Sequence, residues 1–194
     1  LIDYEKLLSS LNSDKNSIIE ALSLKKNEKS RIFLLDIGCG TSLFSICLKS
    51  SLSKEKNSIL FCADFSYSAL SILKKKHKQI SKSNLIDYIQ CDCKNLPFRK
   101  EFFDLIIDKG YLDSVLKSSD TEKAIDNAIV SIKNSLVSLD NSHGILIQIT
   151  DEVPELRLNL LDQIVQNNLK FSYHFKEIDI NDQNTLFCYF IFKS

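Results

Sequence analysis

Residues Arg31 to Ser45, RIFLLDIGCGTSLFS, constrain the fold more than any other stretch of the chain. Ile32, Phe33, Leu34 and Leu35 make the short unbroken apolar run of a parallel strand covered on both faces, and Asp36 stands where that strand ends. Gly38 and Gly40 permit a sharp turn and a close backbone approach, while Thr41 and Ser42 are suitable caps for a helix. Strand, glycine turn and helix in that order form one unit of an open α/β sheet. Such sheets bind ligands in the crevice at the carboxyl ends of their strands.

The turn narrows the ligand. A dinucleotide fingerprint would place a third glycine where Leu43 stands, and a phosphate loop would need Gly-Lys followed by Ser or Thr; the chain has neither. An acid ahead of the glycines repels a pyrophosphate but can accept from an ammonium group. Two more carboxylates close apolar runs. Asp64 ends SILFCA about 24 residues after Gly40, where a carboxylate can take two ribose hydroxyls, and Asp92 follows the run Ile86 to Gln90. Read singly, two glycines also suit a purely structural turn, and each acid suits a solvated loop. Three acids each closing a strand make that explanation harder to sustain.

DIGCGTS resembles the D/E-x-G-x-G motif of class I, seven-β-strand S-adenosylmethionine-dependent methyltransferases. FFDLIIDKGYLDSVL, Phe102 to Leu116, resembles the DKG-x-L/W-D-A signature of one subgroup, the protein-lysine methyltransferases that act on elongation factor 1A and on citrate synthase. GILIQITDEVPELRLNLLDQI, Gly144 to Ile164, is similar to the citrate synthase branch in its acidic pair, proline and arginine. The chain departs from the subgroup at Tyr111, usually Thr or Trp, and at Ser114, usually Ala. The resemblance spans Arg31 to Lys193.

The resemblance implies an α/β fold: a Rossmann-like open sheet, mostly parallel with an antiparallel last strand, and helices on both faces. It implies S-adenosylmethionine as cofactor, with S-adenosylhomocysteine as product, held by Asp36, Gly38, Gly40, Asp64, Phe65, Asp92, Cys93 and Asp108. It implies a protein substrate whose lysine is methylated. Asp108 would orient the acceptor, Tyr111 with Leu112 would wall the channel, and Asp113 would either relay the proton or cap the next helical turn. Asp151 and Glu152 would form the substrate rim, with Arg157 paired to one of these acids. A methyltransferase acting on a small metabolite and a non-catalytic binding module of the same fold are the competing readings.

The 194 residues suit one domain: an amino-terminal helix over about 1–24, a cofactor-binding core over about 31–150 and a carboxyl-terminal helix and hairpin over about 151–194. Helices are expected over Ser42 to Ser51, Ser66 to Ile80, Thr121 to Leu139 with Asp120 as cap, and Pro154 to Asn167. Strands are expected over Lys170 to Ile178 and Thr185 to Lys193, joined by the loop Asp179 to Asn184.

Lysine plus arginine equals aspartate plus glutamate, 25 each, so no net field would draw in nucleic acid or an anionic membrane. The basic run Lys74 to Lys78 fits a solvated helix end. The six cysteines and three histidines lack metal-ligand spacing, so no metal is expected, and free thiols point to a reducing, intracellular compartment, cytoplasm or mitochondrion. No run approaches the ~20 apolar residues of a membrane span. A chain that begins at Leu1 and has no methionine is expected to be trimmed at its amino terminus.

Overall fold

In a computed structural model the described residues are 9, 31–52, 58–80, 85–118, 121–136, 138–139, 142–157, 171–181 and 184–193. The apolar run after Arg31 forms β1 (Ile32–Ile37) at the centre of the sheet, flanked by β2 (Ser58–Asp64) and β4 (Leu105–Lys109). Beyond β2 lies β3 (Ile86–Gln90); beyond β4 lie β6 (Ser142–Thr150), β8 (Asn184–Lys193) and β7 (Phe171–Asn181), giving the order β3-β2-β1-β4-β6-β8-β7. The pairings from β3 through β6 are parallel, and β8 runs antiparallel to both β6 and β7. The expected Rossmann-like sheet with its antiparallel last strand is therefore present.

Because side chains alternate across a strand, the two faces have separate cores. One face packs Ile32, Leu34, Leu105, Ile107 and Ile147 against α1 (Phe44–Leu52) and α2 (Tyr67–Ile80). The other packs Leu35, Ile37, Ile106 and Leu146 with Leu112 of α3 (Tyr111–Leu116) and with Ala128, Ile129 and Ile132 of α4 (Thr121–Ser135). Ser42 and Ser66 cap the first two helices, their hydroxyls accepting from Phe44 N at 3.3 Å and Ala69 N at 3.2 Å.

Two expected elements change length. The helix expected to reach Leu139 stops at Ser135, because the backbone N–H groups of Glu101, Phe102 and Phe103 take the carbonyls of Asn134 and Ser135 at 2.8–3.0 Å. The chain then forms a short strand, β5 (Ser138–Leu139), antiparallel to the start of β6. The final hairpin is tighter than expected: β7 runs on to Asn181, with an irregularity at Asp179 to Asn181 where Thr185 Oγ1 donates to Asp179 Oδ1 at 2.8 Å. The expected amino-terminal helix other than Ser9, the Asp120 cap and the helix beyond residue 157 lie outside the described residues. In the basic run, Lys74, Lys75 and Lys78 are exposed as expected, whereas His77 is buried and its Nδ1 meets the Tyr88 hydroxyl at 2.8 Å.

Candidate functional site

The parallel strands β1 to β4 end along one edge, and a cavity of about 430 Å3 opens there. That volume lies within the ~300–1,000 Å3 usual for small-molecule pockets. Its walls are Gly38, Asp64, Phe65, Asp92, Cys93, Lys94, Tyr111, Ser114, Val115 and Ser118. Of the residues expected from sequence, six meet here: Gly38, Asp64, Phe65, Asp92, Cys93 and Tyr111.

The glycine turn is shaped by two different constraints. Gly38 has φ +57°, and a Cβ there would lie 2.8 Å from both Cβ and Cδ2 of Tyr111. Gly40 has φ +54°, and no atom of the described residues beyond its chain neighbours lies within 4 Å of a would-be Cβ. The turn is strapped to β2 by Cys39 N to Ala63 O at 3.1 Å and by Gly40 N to Asp64 Oδ2 at 2.8 Å. Asp64 Oδ1 also accepts from Ser66 N at 2.8 Å, so this carboxylate fixes two loops while its residue lines the cavity.

Phe65 stands 77% exposed at the cavity edge, an apolar plane open to a flat ring. Asp92 is exposed and caps the short 3-10 turn Cys93–Asn95, accepting from Lys94 N at 3.0 Å. Cys93 Sγ donates to Ala63 O at 3.8 Å; the neighbouring Cys93 thiol lowers Cys91, whereas the Cys91 thiol and burial raise Cys93. Tyr111 presents a buried hydroxyl with no hydrogen-bond partner among the described residues, and burial holds that phenol above its ordinary range.

Asp36, Gly40, Asp108 and Asp113 do not line the cavity, each for a geometric reason. Asp36 lies deeper along the sheet, level with Cys62, and Ser45 Oγ donates to its Oδ2; burial pushes its carboxyl up to about 7. Gly40 contributes its N–H to Asp64 and so supports the wall without forming it. Asp108 is fully buried, and its Oδ1 accepts from Tyr111 N at 2.7 Å and Leu112 N at 3.3 Å while Gln148 Nε2 donates to Oδ2 at 3.1 Å. It stabilises the start of α3, and burial with the nearby Asp113 charge raises it to about 6. Asp113 is held by Arg157, which also donates to Thr150 Oγ1 at 3.2 Å.

Two expectations need correction here. Arg157 pairs with Asp113 and not with Asp151 or Glu152. It sits in the helical turn at 154–157 and is 1% exposed, so its side chain reaches back to the sheet face, while Asp151 is exposed and Glu152 half-buried. Nor does Asp113 cap its helix: the cap position is Gly110, at φ 81°.

Sequence reasoning missed Lys94, Ser114, Val115 and Ser118. Three of these were legible. Tyr111, Ser114, Val115 and Ser118 follow the i, i+3, i+4, i+7 spacing of one helical face. Among the described residues no group of three or more His, Cys, Asp or Glu could hold a metal ion, and all six cysteines are free. No described helix is long and apolar enough to cross a membrane.

A glycine turn at the end of the first strand, an acid closing the second and a cavity between them define a nucleotide-type small-molecule site. Residues 35–167 match the family model described as a methyltransferase domain, and the chain belongs to that family. The domain is of the S-adenosylmethionine-dependent methyltransferase class, and S-adenosylmethionine is the cofactor of that class. Among curated proteins it is similar to citrate synthase-lysine N-methyltransferase, mitochondrial, of Danio rerio, 28% identical over 162 residues that cover 79% of this chain and 61% of that relative. The chain thus spans less than two thirds of that protein's length.

Solved structures of the same fold include a SAM-dependent methyltransferase from Aquifex aeolicus, with TM-score 0.62, 12% identity and coverage of 100% of this chain and 91% of that one. Magnesium protoporphyrin IX methyltransferase from Synechocystis, solved with bound SAM, has TM-score 0.61, 13% identity and coverage of 97% and 77%. The [4+2]-cyclase SpnF has TM-score 0.62, 14% identity and coverage of 91% and 80%. Methyltransferases and a cyclase share this architecture, so these likenesses show the fold and no particular reaction.

Proposed function

We propose that the chain, working as one methyltransferase domain in an intracellular compartment, transfers a methyl group to a lysine of a protein substrate. One observation carries this reading: the acidic and apolar rim at the end of β6. Asp151, Glu155, Val153 and Leu156 are exposed there, Leu156 by 63%, with Glu152 half-buried beside them. The next residue, Arg157, reaches Asp113 on the helix that walls the cavity, so rim and cavity share one support. Acids suit an approaching ammonium, and exposed Val153 and Leu156 suit the apolar parts of a polypeptide. The similarity to the Danio rerio lysine methyltransferase supports the same acceptor class.

The space beside Gly40, the carboxylate of Asp64 and the exposed Phe65 ring fit the amino-acid, ribose and adenine parts of the cofactor in turn. When bound, S-adenosylmethionine supplies a methyl group activated on a positive sulfonium. The chain's residues then have to position the acceptor in line and keep water out, a contribution made by orientation more than by covalent chemistry. Tyr111 and Val115 contribute apolar wall on the side of α3.

A free lysine has a reference pKa of ~10.4, so presenting it neutral at pH 7 costs about 4.6 kcal/mol. Desolvation against that wall lowers the cost, while the rim acids hold the ammonium before it enters. Asp113 is already committed to Arg157, which leaves Asp151, Glu152 and Glu155 as the acids for that first contact. Incubation with a methyl-labelled donor and host-cell lysate, followed by mass-spectrometric mapping, tests the reading. Label on a protein lysine is expected; label confined to small molecules would overturn it.

A further inference from the structure

We propose that Arg157 is a positioning residue for the cofactor cavity: through Asp113 it holds α3, one wall of that cavity, against the end of β6. The wall needs such support. A helix of six residues is too short to persist by its own hydrogen bonds. Its cap residue is Gly110, which offers no side chain, yet Tyr111, Ser114 and Val115 of this helix must stay in place to shape the cavity.

Two long-range ties supply the support. At the start of the helix, Asp108 accepts from Tyr111 N and Leu112 N and is itself held by Gln148 of β6. One residue past Leu112, Asp113 is gripped by Arg157, whose same nitrogen reaches Thr150 at the end of β6. Both ties run from α3 to β6, so the wall is fastened to that strand at two points. The two sequence signatures, DKGYLDS and TDEVPELR, are thereby joined as the two halves of one ion pair.

The chemistry of Arg157 is unlike that of a residue kept only for packing. Its side chain is fully buried, and among the described residues Nε and Nη1 find no partner. On the same sheet face, the Gln148 Oε1 and Tyr189 hydroxyl atoms are likewise without a partner among the described residues. Buried ion pairs are commonly replaceable by apolar residues without loss of stability, whereas breaking one partner leaves an uncompensated charge. A guanidinium half spent in a core is explained by what it holds in place. This inference rests on the cofactor cavity and not on the lysine acceptor, so it can be tested by binding alone.

The test is calorimetric titration with S-adenosylhomocysteine, paired with urea unfolding of the same samples. The proteins are wild type, Asp113→Ser, Arg157→Gln, the double variant, Arg157→Lys and Ile178→Ala. Ile178 is buried in the core on the other sheet face, so its truncation is expected to lower the unfolding midpoint and leave affinity within twofold. Each single break at the pair is expected to weaken binding at least tenfold in conditions where the protein is folded. The double variant should bind no worse than the weaker single, and Arg157→Lys should recover part of the loss.

Unchanged affinity in folded Asp113→Ser or Arg157→Gln would overturn the proposal, as would additive losses in the double variant. Should Asp113→Ser, which leaves the buried guanidinium without its carboxylate, fail to fold, Arg157→Gln decides alone, since the acid it leaves behind is 13% exposed. Failure of wild type to bind would refute the cavity as the cofactor site and this proposal with it; loss confined to the pair variants supports the proposal whatever the acceptor is.

Discussion

The cavity has two sides, and they are built differently. On the side of β1 and β2, the glycine turn, Asp64 and Ser66 are tied by hydrogen bonds between residues at most 24 apart, and the acid that organises the backbone also lines the cavity. On the side of β4 and β6, Asp108 and Asp113 are joined to Gln148 and Arg157, 40 and 44 residues away, and neither acid lines the cavity. The first side displays one carboxylate, Asp64, to a ligand. The second spends its carboxylates on holding a helix, and leaves ligand contact to the helix surface.

The sharpest way to break this contrast is at the glycines. Gly38→Ala has to adopt φ +57° and also push against the Cβ of Tyr111, an atom close to the backbone that cannot swing aside. A left-handed alanine costs about 1–2 kcal/mol and overpacking about 1–3 more, so a loss of about 3 kcal/mol and no measurable S-adenosylhomocysteine binding are expected. Gly40→Ala carries the same φ penalty without the collision, so about 1–2 kcal/mol of stability should be lost. Urea titration of both variants checks the difference. Equal costs would mean that the contact between the two sides is not what restricts Gly38.

Next in size is the carboxylate pair Asp64 and Asp92. Asp64 is 5% exposed with two backbone donors upon it, whereas Asp92 is exposed and serves a short turn. Charge-assisted hydrogen bonds contribute about 1.5–3 kcal/mol. Asp64→Ala, which also strips the acceptor from Gly40 N and Ser66 N, should lower the urea midpoint and weaken S-adenosylhomocysteine binding roughly tenfold to a hundredfold in conditions where it is folded, and Asp92→Ala only a few-fold. Affinity unchanged in Asp64→Ala would refute the ribose assignment.

The same contrast explains what could be read from the amino-acid sequence. Local patterns carried the fold: the apolar runs ending in Asp36 and Asp64 became β1 and β2, and the capping serines Ser42 and Ser66 mark helix starts within two residues. Which acid meets the ligand was not legible, because it depends on depth along the sheet: Asp36 pairs with Cys62, two residues short of Asp64, so Asp36 turns to Ser45 while Asp64, at the end of its strand, lines the cavity. The partner of Arg157 was hidden for another reason. The nearby acids Asp151 and Glu152 are closer in sequence, but a helical turn carries the guanidinium away from them to Asp113. The early end of α4 at Ser135 likewise depends on carbonyls captured by residues 101–103, which no local periodicity records.

The two buried acids can also be separated by pH. Asp36 is raised from 3.8 to about 7 and Asp108 to about 6, in both cases chiefly by burial. In the unfolded chain both lose their protons near 4, so between about pH 4 and 7 the folded protein binds more protons than the unfolded one. Stability from these two groups is consequently greatest at the acid end of that window and falls as pH rises, by at most about 1.4 kcal/mol per pH unit for each group. Asp36→Asn keeps an acceptor for Ser45 and removes one titration. The difference in unfolding free energy between this variant and wild type should therefore grow in the variant's favour from pH 5 to 7 and level off above it. Asp108→Asn, whose Oδ1 can still accept from Tyr111 N and Leu112 N, should level off about one pH unit lower, because Asp108 is raised only to about 6. Parallel stability curves for wild type and Asp36→Asn across that range would show that the Asp36 carboxyl is ionised in the folded state throughout, its burial offset by Ser45 alone.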